Sequence, residues 1–302
     1  MTPTPTASLA VRRQPEVLRG ILLMCAGVAM FPFMNAAMKL LGESGYPVAE
    51  IVWARFTGHL AAMLLVFLPR YGWRLLATRR PAVQIARSLL MLASNGLYVA
   101  AIARVPLATA SAIGFTSPLI VTALSVPLLR ESVGIRRWSA VIVGFAGALL
   151  VIRPGAGMRD PAVLLLLLGS AAYALYQIAT RWVSFYDRAA TGIVFTALLG
   201  ALVTSAILPF VFMMPRDLFD AALFASLGVL GGIGHYLVIR AFQAGPAAVI
   251  APLGYVELLG TATLGYVIFG QFPDLWTWLG AAVIIASGLY IALRERRRRG
   301  AA

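Results

Sequence analysis

One cysteine, one lysine and two histidines are all that 302 residues offer of these site-building side chains. Cys25 alone excludes an intrachain disulfide and any multi-cysteine metal site. Lys39, flanked by Met38 and Leu40, cannot belong to a phosphate-binding Gly-Lys-Ser/Thr loop, so an ATP-driven pump is excluded. His59 and His235 stand 176 residues apart with no companion at metal-ligand spacing. Acids are scarce too, 11 against 25 basic residues, and no apolar run holds a pair of them. A membrane-embedded enzyme would need clustered acids, histidines, or a nucleophile beside its base. That reading is the disfavoured alternative of another class, and no cofactor or metal is called for.

What the chain has instead is apolar length. It is 61% hydrophobic and 12% charged, against roughly 45–50% and 25% in soluble domains. Ten runs can each cross a bilayer as a helix: 18–41, 47–69, 82–103, 106–129, 136–152, 162–182, 190–213, 219–241, 247–269 and 274–293. The fifth is the shortest. The fold class is therefore all-α integral membrane, with little chain left for a soluble module. The apolar stretch after Arg12-Arg13 is longer than a signal-peptide core and lacks a small-residue cleavage site, so it reads as a retained span.

The net charge of +14 invites a nucleic-acid reading, which its distribution opposes. With the N-terminus inside, 19 of the 25 basic residues fall in cytoplasmic segments, Arg87 counted among them. That asymmetry follows the positive-inside rule and puts both termini in the cytoplasm. The basic run Arg296–Arg299 then anchors topology, with contact to anionic lipid.

Phe31, Asn35 and Lys39 recur as Tyr173, Gln177 and Arg181 at a constant offset of 142, each triplet on one helix face. Further on, residues 95–149 match 235–289 without gaps at 11 of 55 positions, including Pro106/Pro246, Gly114/Gly254 and Trp138/Trp278. The chain divides into a tail (1–17), two five-helix repeats (18–152 and 162–293) and a basic tail (294–302). Five spans is an odd number, so the second repeat enters the membrane inverted. Inverted repeats place a substrate site near the midplane between the halves.

These features resemble the EamA family of the drug/metabolite transporter superfamily over residues 20–293. The resemblance rests on the twofold five-span plan, Trp53-Ala54-Arg55-Phe56, Leu128-Leu129-Arg130-Glu131, and the Gly-rich fifth and tenth spans. It implies import or export of small metabolites through a cavity between the repeats, with the fifth and tenth helices peripheral. One departure is Phe269-Gly270-Gln271, where the family often has an acid.

Polar residues at membrane depth mark a pathway or a pair. Glu257, opposite Ser117 in the repeat register, is the candidate for binding a substrate amine or a coupling proton; the plain alternative is helix glue. Arg55 and His59 share a face of the second span, and Arg55 has Glu50 as an alternative partner. His235 lies in the eighth span. Asn35 and Gln177, with Tyr98, Tyr173 and Tyr176, complete the candidate cavity lining. Lys39 and Arg181 read most simply as interfacial anchors. Pro118 and Pro252 mark bends, and Gly228 and Gly232 allow close helix packing. The expected partners are a small molecule, the bilayer and coupling protons, with no nucleic acid; oligomeric state is not legible. The expected function is a secondary carrier in the bacterial inner membrane that exports amino acids or related compounds by alternating access, the alternative being import of a flavin- or nucleoside-like metabolite.

Overall fold

The computed structural model describes residues 5–129, 134–153, 160–245 and 247–299. Among these every regular element is helical. In chain order they are α1 (Pro5–Glu43), α2 (Val48–Tyr71), α3 (Pro81–Ile102), α4 (Leu107–Gly114), α5 (Ser117–Leu129), α6 (Ile135–Ile152), α7 (Ala162–Val183), α8 (Ala189–Val211), α9 (Leu218–Ala244), α10 (Ala247–Ile250), α11 (Val256–Phe269) and α12 (Leu275–Arg299). Eight helical stretches are long and apolar enough to cross a membrane, and two shorter apolar ones, Trp138–Ile152 and Leu275–Ile291, occupy the fifth and tenth places. Arg130 and Glu131 of the family motif, and Pro246, lie outside the described residues.

Local chemistry sets the ends. Asp160, Asp217 and Asp274 each accept a backbone N–H of the helix that follows, from Ala162 (2.8 Å), Asp220 (2.8 Å) and Thr277 (2.9 Å), as helix caps do. Gly270, at φ 66°, stops α11, its N–H returning to the Tyr266 carbonyl at 2.9 Å. Residues 5–17 and 294–299, expected as tails, continue α1 and α12 as helix.

The fourth and ninth spans, expected to be continuous, are both broken. The fourth divides into α4 and α5 at Phe115 and Thr116; the ninth runs from α10 through a 3₁₀ turn (Ala251–Tyr255) into α11. Pro118 cannot donate to the Gly114 carbonyl, which accepts the Ser117 hydroxyl at 2.7 Å instead, while Thr116 donates to Ile113. Pro252 opens the second break. The breaks leave the repeat mates Phe115 and Tyr255 facing each other, ring centroids 5.1 Å apart.

Packing repeats the symmetry of the sequence. α1 packs on α9 as its counterpart α7 packs on α3, while α2 meets α8 and α6 meets α12 across the axis. The closest backbone approach joins α2 to α9, where Gly228 and Gly232 nest against Gly58 and Ala62. A Cβ on Gly58 would sit 2.5 Å from the Gly228 Cα, whereas one on Gly96 meets nothing within 4 Å. Gly58→Ala is therefore expected to destabilise the protein by about 1–3 kcal/mol through overpacking, and Gly96→Ala to be neutral or slightly stabilising. Thermal unfolding of the two variants in one detergent tests this; equal midpoints would show that α2 and α9 can move apart freely.

Candidate functional site

Between the repeats lies a cavity of about 650 Å³, walled by α1, α2, α3, α7, α9, α12 and the broken fourth and ninth spans. Of the residues expected to line it, Asn35, Arg55, Tyr98, Ser117, Tyr173, Gln177, His235 and Glu257 do so. Two do not. His59 sits behind His235, rings 5.0 Å apart, and Tyr176 stacks on Tyr173 at 5.8 Å and 18°. Gly288 and Leu289 of α12 also face the cavity, so the tenth helix is not wholly peripheral.

The charged groups are few and held apart. Asn35 Nδ2 donates to Glu257 Oε1 at 3.2 Å. Glu50 does not pair with Arg55; it accepts the Met213 N–H at 3.1 Å. Arg55 Nη1 reaches only the Met38 sulfur, at 3.8 Å. Tyr98 Oη and Ser111 Oγ, both in the wall, are buried and interact with each other, but neither makes a hydrogen bond of good geometry among the described residues. Phe31 meets His235 edge-on at 5.0 Å, and with Phe115 and Tyr255 supplies flat apolar surface.

The two ends of the cavity differ. At one, Lys39 is 1% exposed, not an interfacial anchor. Its Nζ donates to the carbonyls of Ile102 (2.6 Å) and Val105 (3.0 Å), pairs with Glu43 at 3.2 Å, and lies 5.2 Å from the Phe269 ring centroid. This ties α1 to the end of α3. The repeat mates of Lys39, Ile102 and Val105 are Arg181, Phe242 and Gly245. Arg181 is exposed, and Phe242 is 42% exposed where Ile102 is 0%. Among the described residues α1 packs on α3, but α7 and α9 lie largely apart. The cavity is closed at the Lys39 end and open at the Arg181 end.

A second polar cluster escaped sequence reasoning. Arg87, counted above as a cytoplasmic charge, is 2% exposed within α3. It donates to Gln84 (2.9 Å), Thr196 (2.9 Å), the Gly192 carbonyl (3.1 Å) and Tyr176 Oη (3.2 Å). Beyond it, Asp187 accepts from Gln84 Nε2 (2.8 Å), the Arg79 N–H (3.0 Å) and Thr78. Burial alone would raise the Asp187 carboxyl, but these three hydrogen bonds hold it below its ordinary value. The clamp therefore contributes at neutral pH and is lost only as pH falls through that depressed value.

Two inverted helical repeats around a cavity open at one end define a multi-pass membrane carrier. The chain belongs to the EamA-like transporter family, whose profile matches residues 18–153 and 160–293. It is 31% identical over 248 residues to the S-adenosylmethionine uptake transporter of Rickettsia bellii, covering 82% of this chain and 84% of that one. It is 29% identical over 293 residues to the riboflavin transporter of Rhizobium johnstonii, covering 96% of each. A solved crystal structure, 17% identical, superposes with a TM-score of 0.64 over 92% of this chain and 98% of that one. At that identity the likeness speaks for the fold alone.

Proposed function

We propose that this protein is a secondary carrier that takes up a nucleoside- or flavin-like metabolite by alternating access, in the inner membrane with both termini cytoplasmic. The observation that carries the reading is the central cavity, whose wall combines flat rings (Phe115, Tyr173, Tyr255) with amides (Asn35, Gln177). Its volume suits a ring system with substituents, and is generous for the amino acid whose export the sequence favoured. Relatives named for uptake of S-adenosylmethionine and for transport of riboflavin support the same choice.

With this orientation the open end faces the cytoplasm. A periplasm-active reporter fused after Leu293 is expected to stay silent, and one inserted between residues 153 and 160 to be active. Proteoliposomes holding the purified protein should take up labelled S-adenosylmethionine or riboflavin faster than empty vesicles. Uptake of neither, by folded protein, would reject the proposed function; an active reporter at the C-terminus would reject the orientation.

A further inference from the structure

Arg55 and Glu257 face one cavity with opposite charges and do not touch each other. Ionised groups at membrane depth are costly, and structural ones find each other. Among the described residues Glu257 hydrogen-bonds only with the Asn35 amide, and Arg55 only with a thioether, although the two charges are within electrostatic range of each other. The repeat explains neither: Glu257 stands opposite Ser117, so its carboxylate belongs to one half alone. Tyr98, within electrostatic range of both charges, and Ser111 interact with each other in the same wall, and among the described residues neither hydroxyl has a hydrogen bond of good geometry. A guanidinium, a carboxylate and two weakly engaged hydroxyls in one wall form a complete set for the two ends of an α-amino acid.

We propose that the site recognises a substrate carrying an amino-acid zwitterion on a flat heterocycle, Arg55 taking the carboxylate and Glu257, steadied by Asn35, the ammonium group. This rests on the uptake reading above and chooses within it. S-Adenosylmethionine has both charged groups, a sulfonium and a purine. Riboflavin has a neutral ring system and hydroxyls, and would leave both protein charges unmatched. Bidentate pairing suits Arg55, because a planar guanidinium fits a carboxylate fork. Amide donation from Asn35 leaves lone pairs of Glu257 for the ammonium. Phe115 and Tyr255, set face to edge by the two helix breaks, would hold the ring.

The test compares three probes on purified protein by calorimetry and thermal shift: S-adenosylmethionine, 5′-methylthioadenosine, which lacks both the amino-acid end and the sulfonium charge, and riboflavin, with the Arg55 variants separating the two losses. The parent is expected to bind S-adenosylmethionine about thirtyfold or more tighter than methylthioadenosine, the loss typical of a buried charge left unmatched. Arg55→Gln should bring the two within about threefold, and Arg55→Lys should keep only part of the preference, since it keeps the charge but loses the bidentate fork. Equal binding of the two adenosines by the parent, or binding of riboflavin alone, overturns zwitterion recognition and leaves the uptake reading standing. A preference unchanged in folded Arg55→Gln overturns the assignment of Arg55. Folded parent that binds and moves none of the three overturns both readings.

Discussion

Replacing Arg181 by alanine is expected to cut uptake on the order of tenfold. The reason lies at the opposite end of the molecule. Lys39 closes that end by donating to two backbone carbonyls of the α3 terminus, Ile102 and Val105. In an inverted repeat the second half adopts in one state what the first half adopts in the other. Arg181 should then dock on the carbonyls of Phe242 and Gly245, its counterparts' positions at the end of α9. Hydrogen bonds from a charged donor contribute about 1.5–3 kcal/mol each, net of desolvation, so losing even one biases the equilibrium toward the open form by about one to two orders of magnitude. Labelling reports this directly: a Phe242→Cys probe in a Cys25→Ser background should react faster once Arg181 is alanine. Lys39→Ala should do the same for an Ile102→Cys probe. Unchanged labelling at Phe242 would show that Arg181 does not close the cavity.

Glu257→Gln is expected to abolish accumulation of substrate against its gradient. The groups within electrostatic range of Glu257 are Arg55 on α2, Tyr98 on α3 and Tyr173 on α7, with Asn35 bonded to it from α1. Of these it is the only carboxyl, and so the group that can take up and release a proton while the arginine and tyrosines keep theirs. A carboxyl that binds either a proton or the substrate's ammonium cannot hold both, so each displaces the other as the cavity changes sides. The net charge of S-adenosylmethionine is +1, so one-for-one exchange with a proton is electroneutral. Proteoliposomes with an acid interior should then accumulate substrate up to about tenfold per pH unit. The glutamine variant should only equilibrate, at higher substrate concentration. In a cell, where the pH gradient opposes this exchange, uptake proceeds only while the substrate's own inward gradient exceeds the pH gradient, a condition that consumption inside maintains. Accumulation by Glu257→Gln equal to that of the parent would leave the carboxylate as helix glue.

What could be read from the sequence was whatever stands out against an apolar background. Asn35 and Gln177 are conspicuous because each is an amide in a run of aliphatics, and their shared offset exposes the repeat. Pro118 and Pro252 marked bends, but continuous helices were still expected, because a proline does not say whether neighbouring hydroxyls will hold the freed carbonyl. The closure at Lys39 was illegible for a different reason. Its acceptors are backbone oxygens of Ile102 and Val105, and a carbonyl leaves no trace in residue identity. Arg87 was assigned to the cytoplasmic charge because its partners Tyr176, Gly192 and Thr196 lie 89 to 109 residues away. Only the fold brings them together. His59 was placed on the right helix, but its neighbour His235 turns it away from the cavity.

The apolar stretch of α6 is short where it meets the surrounding lipid. Trp138–Ile152 rises only roughly 22 Å at 1.5 Å per residue, less than the ~30 Å of a typical hydrocarbon core. It packs on α12 along one side of the bundle, where a Cβ on Gly280 would meet the Gly147 carbonyl at 2.5 Å, a fit that opposes sliding. The bilayer on that flank is expected to thin to meet α6. A thicker membrane would then strain this side of the carrier, and acyl-chain length is expected to act on its turnover.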